Sequence, residues 1–506
     1  MTRNHCLIVS PLLALFASCA AGPDFTKPAP PDVTRYTTTP LGATSSTDVA
    51  GGEAQRFMEG VDIPGDWWTL FHSKPLSALI ERSLKANPDI KAAQAALAAA
   101  RESVLAQRGA YWPSVDAGFS VSRQKTSAQL APIPNSGALY FTLYTPQVSV
   151  SYVPDVFGLN RRTVESLTAQ AESVRFALVA AHITLSSNVA SAAMQEASVR
   201  AQIAATRELI AINSDTLRVL RNQYAKGYAS RLDVAAQESQ LAQVTATLSP
   251  LLKQLAQERD LLAALSGGFP DQAVPEEFEL ASLQLPQQLP VSLPSRLVAQ
   301  RPDVRQALEN LHAASAQIGI AVANRLPNIT LTADIGSMAL GAGQMFAGGT
   351  EFWDLGASLT QPIFHGGALL HRERAARAAY EEAAAQYHST VLTAFQGVAD
   401  TLKALEQDAD ALKAAAAARQ AANATLEITR TQQRAGYANY LALLSAEQAY
   451  QQAEINLVQA QANRYIDSVA LFQALGGGWW NRSDVGASTR DGEDAGAKWY
   501  SRIAVH

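Results

Sequence analysis

Thiol chemistry in this chain is confined to its first twenty residues, because Cys6 and Cys19 are the only two cysteines among 506 residues. That excludes a disulfide framework, a cysteine-ligated zinc and a cysteine nucleophile in the body of the protein. The eight histidines are scattered, and His365 and His371, six apart near a helix start, do not share a helical face on which to hold a metal. Asp408 and Asp410 read as charges on a helix surface rather than as a catalytic carboxylate pair. The phosphate-binding, nucleophile-elbow and zinc-protease motifs are all missing, and Gly341-Ala342-Gly343 lacks the last glycine of a dinucleotide loop. The chain therefore reads as a non-enzyme with no cofactor and no metal. With 40 Lys+Arg against 45 Asp+Glu, the net charge of −5 also argues against general nucleic-acid binding.

The remaining chemistry is at the N-terminus. Arg3 precedes an apolar run from Leu7 through Leu12, Leu13, Leu15 and Phe16, and the small residues Ala17 and Ser18 follow. This is a secretory signal, residues 1–18, too short to span a bilayer as a stable helix. Leu15-Phe16-Ala17-Ser18-Cys19 resembles a bacterial lipobox, with Phe16 where leucine is usual. The resemblance implies that Cys19 becomes the lipidated first residue of the mature chain. Ala20 rather than aspartate follows, which in lipoprotein sorting implies the outer membrane. Further on, no run of about 18 uncharged apolar residues is found, so any crossing of the bilayer must be made by strands.

The elements that position everything else are duplicated. Asn87-Pro88-Asp89-Ile90-Lys91 matches Arg301-Pro302-Asp303-Val304-Arg305 at an offset of 214, and the same offset pairs Pro113 with Pro327. Gly227 matches Gly436 at 209, and Leu261–Gly268 matches Leu471–Gly478 at 210. Each half opens with an Ala-rich helix, expected over Leu76–Gly109 in the first, ended by the proline. Alternation follows: Val115, Ala117, Phe119 and Val121, then Phe141, Leu143, Val148, Val150 and Tyr152, the two strands of a hairpin. The second half repeats it with Ile329, Leu331, Ala333 and Ile335, a glycine-rich loop, and Phe352 to Ile363.

From Arg161 to about Lys226 there is no proline or glycine, and apolar residues recur at heptad steps. Such a helix is roughly 100 Å long, more than one globular domain contains. After Gly227-Tyr228-Ala229-Ser230 a second helix returns, with Pro250 predicting a kink. Ala368 to Arg434, a turn at Gly436-Tyr437, and Leu441 to Leu475 repeat the arrangement.

Four amphipathic strands cannot close a barrel, and an open edge is forbidden in lipid. Three copies would supply twelve strands and twelve long helices. Tyr140, Phe141, Tyr144, Phe352 and Trp353 at the strand ends suit a bilayer interface, although a soluble β-sandwich face would show the same alternation. The fold class expected is mainly α with a transmembrane β-barrel portion, two repeats per chain, assembled as a homotrimer.

Cys19-Ala20-Ala21-Gly22-Pro23-Asp24-Phe25, Asp66-Trp67-Trp68 with Phe71, Asn87-Pro88-Asp89, Tyr111-Trp112-Pro113, Arg301-Pro302-Asp303-Val304 and Gln361-Pro362-Ile363-Phe364 carry a resemblance across nearly the whole mature chain. The sequence resembles the TolC-type outer-membrane efflux proteins, in their NodT/OprM lipoprotein branch. The resemblance implies a trimer with a twelve-stranded outer-membrane barrel and a long periplasmic α-helical barrel. It implies passive export of small molecules delivered by an inner-membrane resistance-nodulation-division pump through a periplasmic adaptor. A type I secretion duct shares this fold, and a lipid-anchored periplasmic coiled-coil scaffold would also explain the heptads.

The resemblance further implies that the helical turns face the adaptor: Gly227, Tyr228, Ala229 and Ser230, with Gly436, Tyr437 and Ala438. Read without it, Gly227 and Gly436 cap helices. Asp233 matches a family gate carboxylate, with Arg231 and Tyr440 as its candidate partners; as a bare residue it is a solvated acid on a helix. Ser445 stands where the family usually has an aspartate, so an acidic ring is weakened unless Glu447 substitutes. The chain is thus expected to divide into a signal at 1–18, a lipoprotein segment at 19–75, repeats at 76–290 and 291–478, and a disordered polar tail at 479–506.

Overall fold

The computed structural model describes residues 20–127, 140–272 and 274–482. The lipidation residue Cys19, the signal before it and the tail from residue 483 lie outside the described residues. In chain order the elements are β1 (Arg56–Glu59), α1 (Lys74–Ala86), α2 (Pro88–Arg108), β2 (Ser114–Lys125), β3 (Tyr140–Tyr152), α3 (Leu159–Ala225), α4 (Arg231–Leu265), β4 (Gln288–Val291), α5 (Pro294–Gln300), α6 (Pro302–Ala323), β5 (Asn328–Ser337), β6 (Glu351–Thr360), α7 (Ala368–Arg434) and α8 (Tyr440–Ala474).

The helix expected over Leu76–Gly109 is two helices. A residue before proline is pushed out of the helical region, and Asn87 accordingly sits at ψ 128°. Its side chain then starts the next helix, accepting from the Asp89 N–H at 2.8 Å and the Ile90 N–H at 3.4 Å. Arg301, at ψ 125° before Pro302, repeats the break in the second half. Pro250, by contrast, lies inside a continuous α4.

The repeat offset also needs correction. Helices α3 and α7 are 67 residues each and α4 and α8 are 35 each, all related by 209. The C-terminal bonds hold the same register: Gly267 donates to Ala264 and Gly268 to Ala263, while Gly476 donates to Gln473 and Gly477 to Phe472. The apparent offset of 210 there is a slide within a glycine run, because sequence identity alone does not see which glycine terminates the helix.

Two compact units divide the chain. In the first (1–27, 98–173 and 307–387), one four-stranded antiparallel sheet runs in the order β2-β3-β5-β6. In the second (28–97, 174–306 and 388–506), the core is aromatic and aliphatic. Trp67 stacks on Phe472 with ring centroids 5.3 Å apart, and Phe71, Leu76, Leu79 and Ile80 are fully buried around them. A short parallel pairing of β1 with β4 was not foreseen from the sequence. Arg464, wholly buried, donates to the Gly51 carbonyl, the Gln55 side-chain oxygen and the Thr44 hydroxyl, and so holds the N-terminal segment in place.

The structured chain also runs past 478. Trp479 packs edge-on against Phe176 and donates to the Gln300 carbonyl at 2.7 Å, and Trp480 donates to Asp62. A stretch of α3 is apolar enough to cross a bilayer by composition, contrary to the sequence expectation, but 61% of it is buried inside the protein, as in a core helix.

Candidate functional site

The sheet is sorted into two faces by its register. Val115 pairs with Val150, Ala117 with Val148, Phe119 with Pro146 and Val121 with Tyr144. The same rows continue through Val150 and Ala333 to Leu355, and through Val148 and Ile335 to Trp353. Because side chains alternate along a strand, these rows make one continuous apolar face. Much of it is exposed, including Phe119, Ile335, Trp353, Leu355 and Leu359. The opposite face is polar: Asp116, Ser149, Asp334 and Asp354 form one row, and the Ser149 hydroxyl donates to Asp334. Among the described residues, strands β2 and β6 have free outer edges. Of the expected aromatic girdle, Tyr140 and Trp353 are exposed, and Phe141, Tyr144 and Phe352 are half-buried.

Two helical turns in the second unit form the other feature. Gly227 at φ +80° and Gly436 at φ +81° take the left-handed conformation that only glycine adopts without strain. Each is the pivot of a Schellman cap. Gly227 donates to Tyr224 and Tyr228 to Gln223, and Gly436 donates to Gln433 and Tyr437 to Gln432. The returning helices start with Ser230, whose hydroxyl accepts from the Asp233 N–H, and Asn439, whose side chain accepts from the Ala442 N–H.

These turns share one apolar cluster, in which Leu217, Leu220 and Val234 of the first pack with Leu426, Tyr440, Leu443 and Ala446 of the second. Ala229 joins it, half-buried. Tyr228 and Tyr437, 83% and 87% exposed, point away from it, as do Leu232 and Leu441. Ala438 is half-buried and Ser230 exposed.

The carboxylate of Asp233 is already engaged. Its Oδ2 accepts from the Ser230 backbone N–H at 3.0 Å and from the Ser230 hydroxyl at 2.7 Å, which completes a capping box. Arg231 is exposed and makes no ion pair with Asp233; its field acts on Glu238 instead. Tyr440 is buried, its hydroxyl has no hydrogen-bond partner among the described residues, and burial followed by the charges of Glu447 and Asp233 pushes it up. Ser445 is exposed.

Glu447, two residues on, is the acid that the cluster buries, with Arg430 3.8 Å away. Burial raises it, and Arg430 opposes the rise. The one sequence signal for Glu447 was its nearness to the missing aspartate.

Asp408 is not the free surface charge expected. It lies across from Asp467, half-buried, with one carboxylate oxygen buried and without a partner among the described residues. Burial, and then the Asp408 carboxyl, push Asp467 up to about 7. Asp410 is exposed and accepts from Ser45 at 2.8 Å. His365 and His371 are exposed, and no group of three metal-ligating side chains forms among the described residues.

The family model for the outer membrane efflux protein matches residues 79–268 and 293–477, one segment in each repeat. The toluene efflux pump outer membrane protein TtgC of Pseudomonas putida is 30% identical over 473 residues, which cover 93% of this chain and 94% of that protein. The pyoverdine export outer membrane protein OpmQ of Pseudomonas aeruginosa is 29% identical over 417 residues, or 82% of this chain and 87% of that one. The solved structure of the outer-membrane channel OprN superposes with a TM-score of 0.81 at 25% identity, covering 91% of this chain and 100% of OprN.

Proposed function

The chain belongs to the outer membrane efflux protein family, and from that premise we propose how its geometry builds a conduit. It is the outer-membrane channel component of an efflux system, and members of the family are channel proteins. Three copies close edge to edge, β6 of one against β2 of the next, into a twelve-stranded barrel whose long helices extend into the periplasm as a second barrel. The observation that carries this reading is the sorted sheet. An apolar outer face is stable in lipid only if no backbone edge is left open, and four strands cannot close alone.

Transport is passive. The polar face, with Asp116, Asp334 and Asp354, lines the lumen, and the energy comes from an inner-membrane pump of the resistance-nodulation-division type. The cargo is a small molecule of the kind TtgC is named for, an apolar aromatic compound. A periplasmic adaptor docks on the turns at Gly227, Tyr228, Ala229, Ser230, Gly436, Tyr437 and Ala438. Both turns expose a tyrosine and, four residues on, a leucine, which supports docking on two equivalent surfaces per chain. Arg231, Asp233, Tyr440 and Ser445 form the periplasmic gate, in which Asp233 acts by fixing the start of α4. Cys19 carries the lipid anchor.

The test is single-channel conductance of the purified protein in a planar bilayer, with its oligomeric mass measured in the same detergent. A trimer with small, mostly closed openings is expected. A protein that neither inserts nor trimerises overturns the reading.

A further inference from the structure

The periplasmic foot of the β2–β3 hairpin is built differently from that of β5–β6. Ser114 and Ser151 pair at this end, and α2 and α3 attach to it. The Gln107 amide donates to Asn160 at 2.6 Å, which ties the last turn of α2, carrying Arg108, to the first turn of α3, carrying Arg161. Both arginines are exposed, and neither forms a salt bridge with a described residue. Tyr111 lies within electrostatic reach of both, and of Asp155. Asp155 is occupied at the helix start, where it accepts from the N–H groups of Asn160 at 2.9 Å and Arg161 at 2.7 Å. Trp112, which follows Tyr111 directly, is 65% exposed.

In the second half Arg325 stands where Tyr111 does in the first, at the offset of 214, and Glu373 neutralises it while also holding Arg377. The first foot therefore keeps two guanidinium groups without a salt bridge among the described residues, and an exposed indole, at the end of an apolar face.

We propose that Arg108, Arg161 and Trp112 form a binding site for an anionic glycerophospholipid of the periplasmic leaflet. Guanidinium groups match the phosphate, and the indole covers the glycerol and upper acyl carbons, as aromatic residues do at a bilayer interface. Ala20, the first described residue, packs against Gly158 in the same loop. The inference rests on the reading that the sheet lies in the outer membrane.

Delipidated full-length protein is titrated with phosphatidylglycerol or phosphatidylcholine, and bound lipid is counted by native mass spectrometry. Two arginines near the headgroup favour the anionic lipid about thirtyfold. R108Q/R161Q brings the two lipids to parity, and W112A weakens both together. Excess inorganic phosphate leaves phosphatidylglycerol bound. Equal retention of both lipids by the wild type, unchanged preference in R108Q/R161Q, unchanged retention in W112A, or displacement by inorganic phosphate overturns the proposal. Conductance in a pure phosphatidylcholine bilayer separates the two levels: a protein that conducts there without lipid preference loses only this inference, and one that inserts in no bilayer loses the channel reading beneath it.

Discussion

Two ion pairs occupy equivalent places in the two helical hairpins and behave in opposite ways. Arg221 and Glu238 in the first correspond, at the offset of 209, to Arg430 and Glu447 in the second. Arg221 meets Glu238 at 2.9 Å in the open, and this hydrogen bond holds the Glu238 carboxyl below its ordinary 4.5. Arg430 stands 3.8 Å from a buried Glu447, and burial outweighs the cation, so that carboxyl is raised. Residue types, spacing and helix are the same. What differs is the surroundings: Glu447 is enclosed by the cluster under the two turns, whereas Glu238 is not. Desolvation sets the sign once the solvent is gone.

The comparison breaks most visibly if the arginines are removed. Arg430→Ala leaves a buried carboxylate with no cation, and opening of the α7–α8 tip becomes easier by about 2 kcal/mol, a partial share of the cost of breaking a fully buried pair because Arg430 is partly exposed. Arg221→Ala lowers the hydrogen-exchange protection of the α3–α4 tip only slightly, as expected of an exposed pair. Equal protection loss in the two variants would mean that burial is not what separates the pairs.

The backbones, by contrast, should respond alike. Gly227→Val and Gly436→Val each force a β-branched residue into the left-handed region and cost about 1–2 kcal/mol. Amide exchange at the two turns reads the cost, and a large inequality would show that only one turn depends on its cap.

A smaller effect is expected at the helix starts. Asp233→Ala removes half of a capping box and Asn439→Ala removes a single cap, each costing about 1 kcal/mol. If Asp233 also latches the gate, D233A lengthens channel openings and N439A does not.

The subtlest test is pH. Glu238, lowered, contributes stability that is present above 4.5 and lost as the pH falls through its depressed value. Glu447, raised, contributes stability that is complete below 4.5 and lost as the pH rises through its elevated value. Tip protection followed from pH 3 to 8 should therefore lose its acid-side slope in Glu238→Gln and its alkaline-side slope in Glu447→Gln. Slopes of the same sign would refute the contrast.

Much of this architecture was legible from residue order alone, for identifiable reasons. The absence of proline and glycine after Arg161 left a long helix as the only regular choice, Gly227 and Gly436 marked its end, and alternation from Val115 to Val121 required a strand with two unlike faces. The break at Asn87 was legible too, since Pro88 acts on its neighbour locally, but a strong helical pattern on both sides masked it. The fate of the conspicuous motif residues was less accessible. Trp67, Trp68 and Phe71 became core, and Trp479, expected in a disordered tail, packs on Phe176.

Local chemistry by itself determined the repeats, the helix ends and the strand faces, because propensity, capping and alternation act over a few residues. Only the tertiary structure decided which charges are buried. It enclosed Glu447 and left Glu238 half-exposed, brought Asp467 up against Asp408, sealed Arg464 among neutral oxygens, and left Arg108 and Arg161 without a salt bridge among the described residues while Arg325 was matched by Glu373. Burial and ion pairing depend on segments distant in sequence arriving at one place, and the energy of a charge depends on that arrival rather than on its own neighbours along the chain.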